Sequence, residues 1–236
     1  MKENIKRVAA VVPAYNEEQR IAVVLAAIKQ AKLVYQIVVV SDGSADKTYE
    51  VAASAPGVQA IRLERNVGKG GAMRAGAAAA DADILLFLDA DLIGLKPGQI
   101  DDLIRPVLSG DVDMAVGVFR AGRSMTDLAQ ILVPYISGQR VMLRDTFLSI
   151  PEIEGVRSGV EVAITKYCKF RGMTVKNVVL AGVTHSMKEE KIGLIHGFAA
   201  RLRMYYDIGR VMTNGHAIVN AAKQAKSAFL ASNKRD

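Results

Sequence analysis

Asp89 and Asp91, separated by one alanine, stand directly after the apolar run Ile84–Leu88. Two carboxylates so placed can converge on a hard cation, the all-oxygen chemistry that Mg²⁺ or Mn²⁺ takes. An acidic pair alone is more often a solvated turn or a helix cap than a metal site. Three other loops also follow apolar runs. Pro13-Ala14-Tyr15-Asn16-Glu17 comes after Val8–Val12, Ser41-Asp42-Gly43-Ser44-Ala45-Asp46 after Ile37–Val40, and Arg65-Asn66-Val67-Gly68-Lys69-Gly70-Gly71 after Val58–Leu63. Asp42, ahead of a glycine, could accept the ring N–H of a nucleobase, whereas Asp46 reads as a helix cap. Lys69, flanked by glycines that admit a close backbone, suits a diphosphate. The spacing is not that of a Walker A loop, and a tight turn would use the same glycines.

These loops need a scaffold that presents them together. Apolar runs without helical period alternate with periodic stretches at Glu17–Gln30, Asp46–Ala53 and Gly71–Ala80, which predicts strands alternating with helices. Such strands imply a parallel sheet covered on both faces, with ligands beyond the carboxyl ends of the strands. Further on, Gln99–Leu108 and Arg157–Phe170 read as helices and Val112–Val118 and Thr174–Ala181 as strands; residues 119–157 are the least regular part. Residues 190–213 read as one long helix. The boundaries expected are a core of residues 1–189 and a basic amphipathic helical extension over 190–236.

Composition narrows the classes. The chain has 236 residues, half of them hydrophobic and 23% charged, enough to bury a core and unlike a disordered segment. Cys168 is the single cysteine, so no internal disulfide can form and a cytoplasmic address is expected. No stretch approaches the roughly 20 apolar residues of a membrane span. The formal charge of +7 is unevenly spread: residues 185–236 carry nine Lys/Arg against four Asp/Glu, leaving the rest nearly balanced. A basic nucleic-acid-binding module would spread its excess over its core and carry more stacking aromatics than the 6% here. Phe198, Leu202 and Tyr205 share a helical face with Arg201 and Arg203 elsewhere, a pattern that suits an anionic membrane surface or packing on the domain or on another subunit.

The four loop motifs, V-V-P-A-Y-N-E-E, V-S-D-G-S-A-D-K-T, N-V-G-K-G-G-A and F-L-D-A-D, in this order over residues 8–91, resemble the nucleotide-binding half of the family 2 glycosyltransferases. That resemblance implies the GT-A fold, a Rossmann-like α/β architecture with a mostly parallel central sheet. It also implies metal-dependent transfer of a hexose from a UDP- or GDP-sugar. By position Pro13, Ala14, Tyr15, Glu17, Asp42, Lys69, Asp89 and Ala90 would hold the donor. Ser137-Gly138-Gln139-Arg140 and the segment from Gly155 to Gly159-Val160-Glu161-Val162 look like the acceptor region of dolichol-phosphate mannose synthases and glucosyl-3-phosphoglycerate synthases. In the second of those groups a histidine after the next strand completes the metal site, and His185 stands there. An Asp89–Asp91–His185 set would suit Mn²⁺ or Mg²⁺. Without the resemblance His185 reads as a surface or capping residue, and His196 and His216 lie in helical pattern with no role assigned.

The acceptor implied is a polyprenyl phosphate or a small phosphorylated hydroxy acid. Glu161 could be a general base, a ligand for an acceptor hydroxyl or a buried structural acid, and with Asp91 it is the expected catalytic pair. A phosphate acceptor is already an oxyanion near neutrality and needs cationic clamps rather than a base. Arg120, Arg123, Arg140 and Arg144 lie in the right section, with Ser137 and Gly138, for acceptor binding. A sugar nucleotidyltransferase is the alternative enzyme class, but its phosphate loop would directly follow the first strand, where Pro13–Glu17 stands.

Overall fold

The computed structural model describes residues 6–119, 137–156 and 159–185. The order of elements is β1 (Val8–Ala14), α1 (Ile21–Lys29), β2 (Gln36–Asp42), α2 (Thr48–Ala53), β3 (Val58–Leu63), α3 (Lys69–Ala79), β4 (Ile84–Phe87), β5 (Leu92–Ile93), α4 (Pro97–Leu108), β6 (Met114–Phe119), β7 (Arg140–Leu143), α5 (Arg144–Leu148), a 3-10 turn (Ile153–Gly155), α6 (Val160–Phe170), β8 (Val175–Leu180) and β9 (Thr184–His185). Seven strands form one sheet in the order β3-β2-β1-β4-β7-β6-β8. Neighbours pair in parallel except β7, which runs antiparallel to both β4 and β6. The sheet is therefore mostly parallel, with one reversed strand in its interior.

Alternation along the strands explains why both faces are covered. In β1, Val8, Ala10 and Val12 pack with Ile21, Val24, Leu25 and Ile28 of α1 and Ile100, Leu103 and Ile104 of α4. Ala9 and Val11 face the other way, onto Ala72, Met73 and Ala77 of α3, Phe147 of α5 and Ile164 and Cys168 of α6. A strand buried on both faces must be apolar at every position, which is why these runs lack alternation in the sequence. Gly76 brings α3 close to the sheet: a Cβ there would lie 2.4 Å from Val11 Cγ1 and 3.1 Å from Val40 Cγ2.

The topology sends every chemistry-bearing loop to one edge. β1, β2, β3 and β4 end there, and so do β6 and β8, because two antiparallel steps restore their direction. The reversed β7 begins at that edge, so residues 137–139 enter it from the opposite chain sense. A separate two-stranded ribbon pairs β5 with β9, Leu92 opposite His185 and Ile93 opposite Thr184. Against expectation, residues 140–143 are a core strand rather than irregular chain, and the predicted helix over 190–213 lies outside the described residues, as does the extension 190–236.

Candidate active site

Asp89 and Asp91 sit in the turn between β4 and β5, while Ala90 between them turns its methyl into the core at 3% exposure. The two carboxylates stand at the edge of the sheet and are largely buried, with side chains 16% and 20% exposed. The β5–β9 ribbon brings His185 to them: Nδ1 lies 3.3 Å from Asp91 Oδ1 and 3.9 Å from Asp89 Oδ2. Phe119, the last residue of β6, packs edge-on against the imidazole with ring centroids 4.8 Å apart. The three residues offer one ligand atom each within 4.8 Å of one another, two oxygens and a nitrogen, a donor set that fits Mn²⁺ or Mg²⁺. Burial alone would lower the His185 pKa, but the hydrogen bond to Asp91 and the charges of Asp89 and Asp91 outweigh it and leave it raised.

Lys69 opens α3, and its ammonium bridges two acids, Asp89 Oδ1 and Glu161 Oε1, at 2.5 Å each. Glu161 lies in the first turn of α6, where its negative charge also complements the helix N-terminus. Burial works against the charges of Lys69 and Asp89, and the opposite charges around them reverse its effect. Desolvation pulls Lys69 down while Asp89 and Glu161 push it up, with a raised pKa the result. Desolvation pushes Asp89 up while Lys69 and His185 hold it down, with a lowered pKa the result. The second Asp89 oxygen accepts from Gln139 Nε2 at 2.8 Å. Gln139 stands in the quoted Ser137–Arg140 segment, but sequence reasoning gave it no role, since nothing in the sequence indicated that a strand begins at Arg140.

The glycines around Lys69 admit this chain's own backbone. Gly70 N–H donates to Val156 C=O at 3.1 Å, and a Cβ at Gly70 would stand 2.1 Å from Ile153 O and 2.7 Å from Val156 O. The 3-10 turn is thus seated on the start of α3, and Gly70 N–H is already engaged. Asp42 is likewise occupied at 4% exposure: its carboxylate accepts Val67 N–H at 2.8 Å and Gly68 N–H at 2.9 Å, which fastens the loop that carries Lys69. Gly43, at φ +64°, presses against that loop; a Cβ would be 2.4 Å from Asn66 N.

Of the remaining donor-side residues, Pro13 and Ala14 close β1, Tyr15 is 51% exposed at the same edge, and Glu17 N–H donates to Thr48 Oγ1. Asn16 takes a left-handed φ of +56°, which Asn tolerates, and accepts Ala45 N–H. Asp46 accepts from Thr48 N and Glu18 N, joining the first two loops, although the residue at the N-cap itself is Lys47.

Arg140 corrects an expectation. Its side chain is fully buried, donating Nε and Nη2 to Ser137 C=O and Nη1 to Thr165 Oγ1, so it is committed to holding the core together. The β4–β7 register, which sets Arg140 opposite Phe87, places it there. Arg144 is also committed, donating to the carbonyls of Ala77 and Ala78 at the end of α3. Ser137 is buried with its single hydroxyl proton between Gly117 C=O and Gln139 Oε1, and Gly138 lies beneath the Lys69–Asp89 pair. Arg120 and Arg123 lie outside the described residues.

A family model described as "Glycosyl transferase family 2" matches residues 9–171. Over 131 residues the chain is 40% identical to an undecaprenyl-phosphate 4-deoxy-4-formamido-L-arabinose transferase of Photorhabdus laumondii, 51% of this chain and 39% of that protein. The protein of that name from Serratia proteamaculans is 39% identical over the same length. The chain thus spans about two fifths of the curated relatives it matches. Among solved structures, glucosyl-3-phosphoglycerate synthase of Mycobacterium tuberculosis with Mn²⁺, UDP and phosphoglyceric acid superposes with a TM-score of 0.66 at 25% identity, covering 83% of this chain and 78% of that one. The same enzyme with Mg²⁺ and UDP gives a TM-score of 0.65 at 25% identity, covering 83% and 79%.

Proposed function

The chain belongs to glycosyl transferase family 2, and from that premise we propose that it moves a hexose from a nucleoside diphosphate sugar to a phosphorylated acceptor with the help of a divalent cation. The observation that carries this reading is the convergence of Asp91 and His185, 3.3 Å apart, beside the Lys69–Asp89–Glu161 ion cluster at one sheet edge. Asp91 and His185 would hold the cation, with Asp89 adjacent. Bound there, Mn²⁺ or Mg²⁺ would supply positive charge against the departing nucleoside diphosphate.

The chain's own groups divide the remaining work. Lys69 is the cation that a diphosphate would meet at the start of α3, and it stays protonated at any working pH because its acids hold it so. Glu161 would take the proton of an acceptor hydroxyl; a phosphate acceptor would not require it. Tyr15 and the loops fastened by Asn16, Asp42 and Asp46 would form the base and ribose side.

Two acceptors have specific support. The curated relatives are named for transfer to undecaprenyl phosphate, and the solved enzyme holds phosphoglyceric acid. No helix among the described residues is long and apolar enough to cross a membrane. The basic composition of residues 185–236 supports peripheral contact with an anionic membrane in the lipid-linked case. The test is a thermal-shift and hydrolysis panel of UDP- and GDP-sugars with Mn²⁺ or Mg²⁺ on wild type, Asp91→Ala and His185→Ala, followed by transfer to phosphoglyceric acid and to undecaprenyl phosphate in detergent. Metal-dependent stabilisation by one donor, lost in both variants, is expected. If no nucleotide sugar stabilises the wild type with either metal, the proposal fails.

A further inference from the structure

At the β8 end of the sheet one face lacks the cover that the other strands have. β8 is last in the strand order and, among the described residues, pairs with β6 alone. Its two faces differ. Val178 and Leu180 join the core on the α1 and α4 side, with Phe119 and Val183. On the opposite face the neighbouring strand is packed: Met114 and Val116 of β6 are buried with Ile164 and Cys168 of α6, and Val118 is partly buried against them. The register sets Val175, Asn177 and Val179 beside Met114, Val116 and Val118, on that same face. All three are exposed, Val175 at 40% and Val179 at 55%. A sheet face that meets water is polar at alternate positions, whereas a covered one is rich in valine. Two of the three residues here are valines, the composition of a face that something covers.

We propose that this face of β8 is the docking site of the chain's own C-terminal segment, with Ile195, Phe198, Leu202 and Tyr205 set as one helical stripe against Val175 and Val179. Connectivity favours this occupant. The described chain ends at His185, six positions after Val179, and the nine residues that lead on to Ile195 reach up to about 30 Å when extended. The sequence pattern fits as well. Positions 195, 198, 202 and 205 step by three and four, which aligns them on one side of a helix. Arg201 and Arg203 fall on either flank of that stripe, so docking leaves them in water. The lengths agree too: ten helical steps from Ile195 to Tyr205 cover about 15 Å, and four strand steps from Val175 to Val179 cover about 13 Å. A helix that returns along the strand it follows is how an α/β sheet covers its last strand.

The experiment measures the alkylation rate of a thiol placed on this face of the full-length protein. Val179→Cys is compared with Val23→Cys, a reference site exposed on α1; the native Cys168 is buried and adds little background. Iodoacetamide at about pH 8 is expected to modify Val179→Cys at least about tenfold more slowly than Val23→Cys, at any protein concentration and without lipid. Adding Phe198→Asp and Leu202→Asp to Val179→Cys should bring its rate to within about threefold of the reference. Equal rates for the two single variants show an open face and overturn the proposal. Protection that grows with protein concentration assigns the face to a second copy of the chain, and protection that needs phosphatidylglycerol vesicles assigns it to a membrane; either overturns it. Protection that the two aspartates leave intact places another part of the chain on β8 and overturns it as well.

Discussion

Replacing Lys69 with methionine isolates what the ion cluster contributes. The variant keeps the stem's bulk and removes one positive charge from between Asp89 and Glu161, whose side chains are only 16% and 11% exposed. Two poorly solvated carboxylates are then left without their shared cation. Breaking a buried pair from one side costs about 3–5 kcal/mol, and because the Lys69 side chain keeps 28% exposure the lower end applies, about 3 kcal/mol. At about 2–4 °C per kcal/mol for a chain of this size, the melting temperature should fall by about 6–12 °C. The double variant Lys69→Met with Glu161→Gln separates charge from packing. Removing one of the two stranded charges should recover about half of the loss, whereas two unrelated packing defects would add. The assay is thermal unfolding followed by circular dichroism at neutral pH with divalent cations chelated. A fall of less than about 2 °C in the single variant, or a double variant less stable than the single one, would refute the argument that Lys69 is held as the counter-ion of both acids.

Other outcomes follow from the same geometry. Gly70→Ala sets a methyl against two backbone carbonyls, so urea denaturation should show a loss of about 2–4 kcal/mol. Gly71→Ala should cost less, because the atom it meets first is a side-chain methyl of Val67. Arg140→Leu strands the Ser137 carbonyl and should cost about 2–4 kcal/mol of stability, read from the same denaturation curves. A residue that gripped an acceptor phosphate would instead raise the acceptor KM with the melting temperature unchanged. Burial pushes the Cys168 thiol up to about 11, against the pull of Arg140. Alkylation by iodoacetamide at pH 8.5 should therefore run at least about a hundredfold slower in folded protein than in urea; similar rates would show that the α6 face is open.

The parts of the fold legible in the sequence are those whose pattern has a local cause. Parallel strands buried on both faces must be continuously apolar, so β1, β2, β3 and β4 stand out at Val8, Ile37, Val58 and Ile84, and the loops after them carry Tyr15, Asp42, Lys69 and Asp89 to the expected edge. The sites that escaped sequence reading have tertiary causes. A glycine-rich loop announces a close approach but not what approaches, and at Gly70 it is the backbone carbonyls of Val156 and Ile153. An arginine in a polar segment reads as exposed, yet the register opposite Phe87 buries Arg140 completely. The β5–β9 ribbon is two residues long on each side, too short for any periodicity, and it is what brings His185 to Asp91 across 94 positions of sequence.

The reversed strand accounts for much of the site's chemistry. Had β7 run parallel to β4, its carboxyl end would have reached the ligand edge, and Leu143 with Arg144 would lie near Asp89. Running antiparallel, it delivers its beginning instead, and the residues just ahead of Arg140 are a hydroxyl, a glycine and an amide. Each is suited to a crowded ionic site. Glycine admits the Lys69–Asp89 pair, glutamine supplies a neutral donor that adds no charge to a cluster already containing one ammonium and three carboxylates, and serine meets the glutamine oxygen. A cationic donor in place of Gln139 would compete with Lys69 for Asp89 and release that lysine from the pair. A neutral one fixes the carboxylate without displacing the lysine, so the direction of one strand sets where Asp89 points.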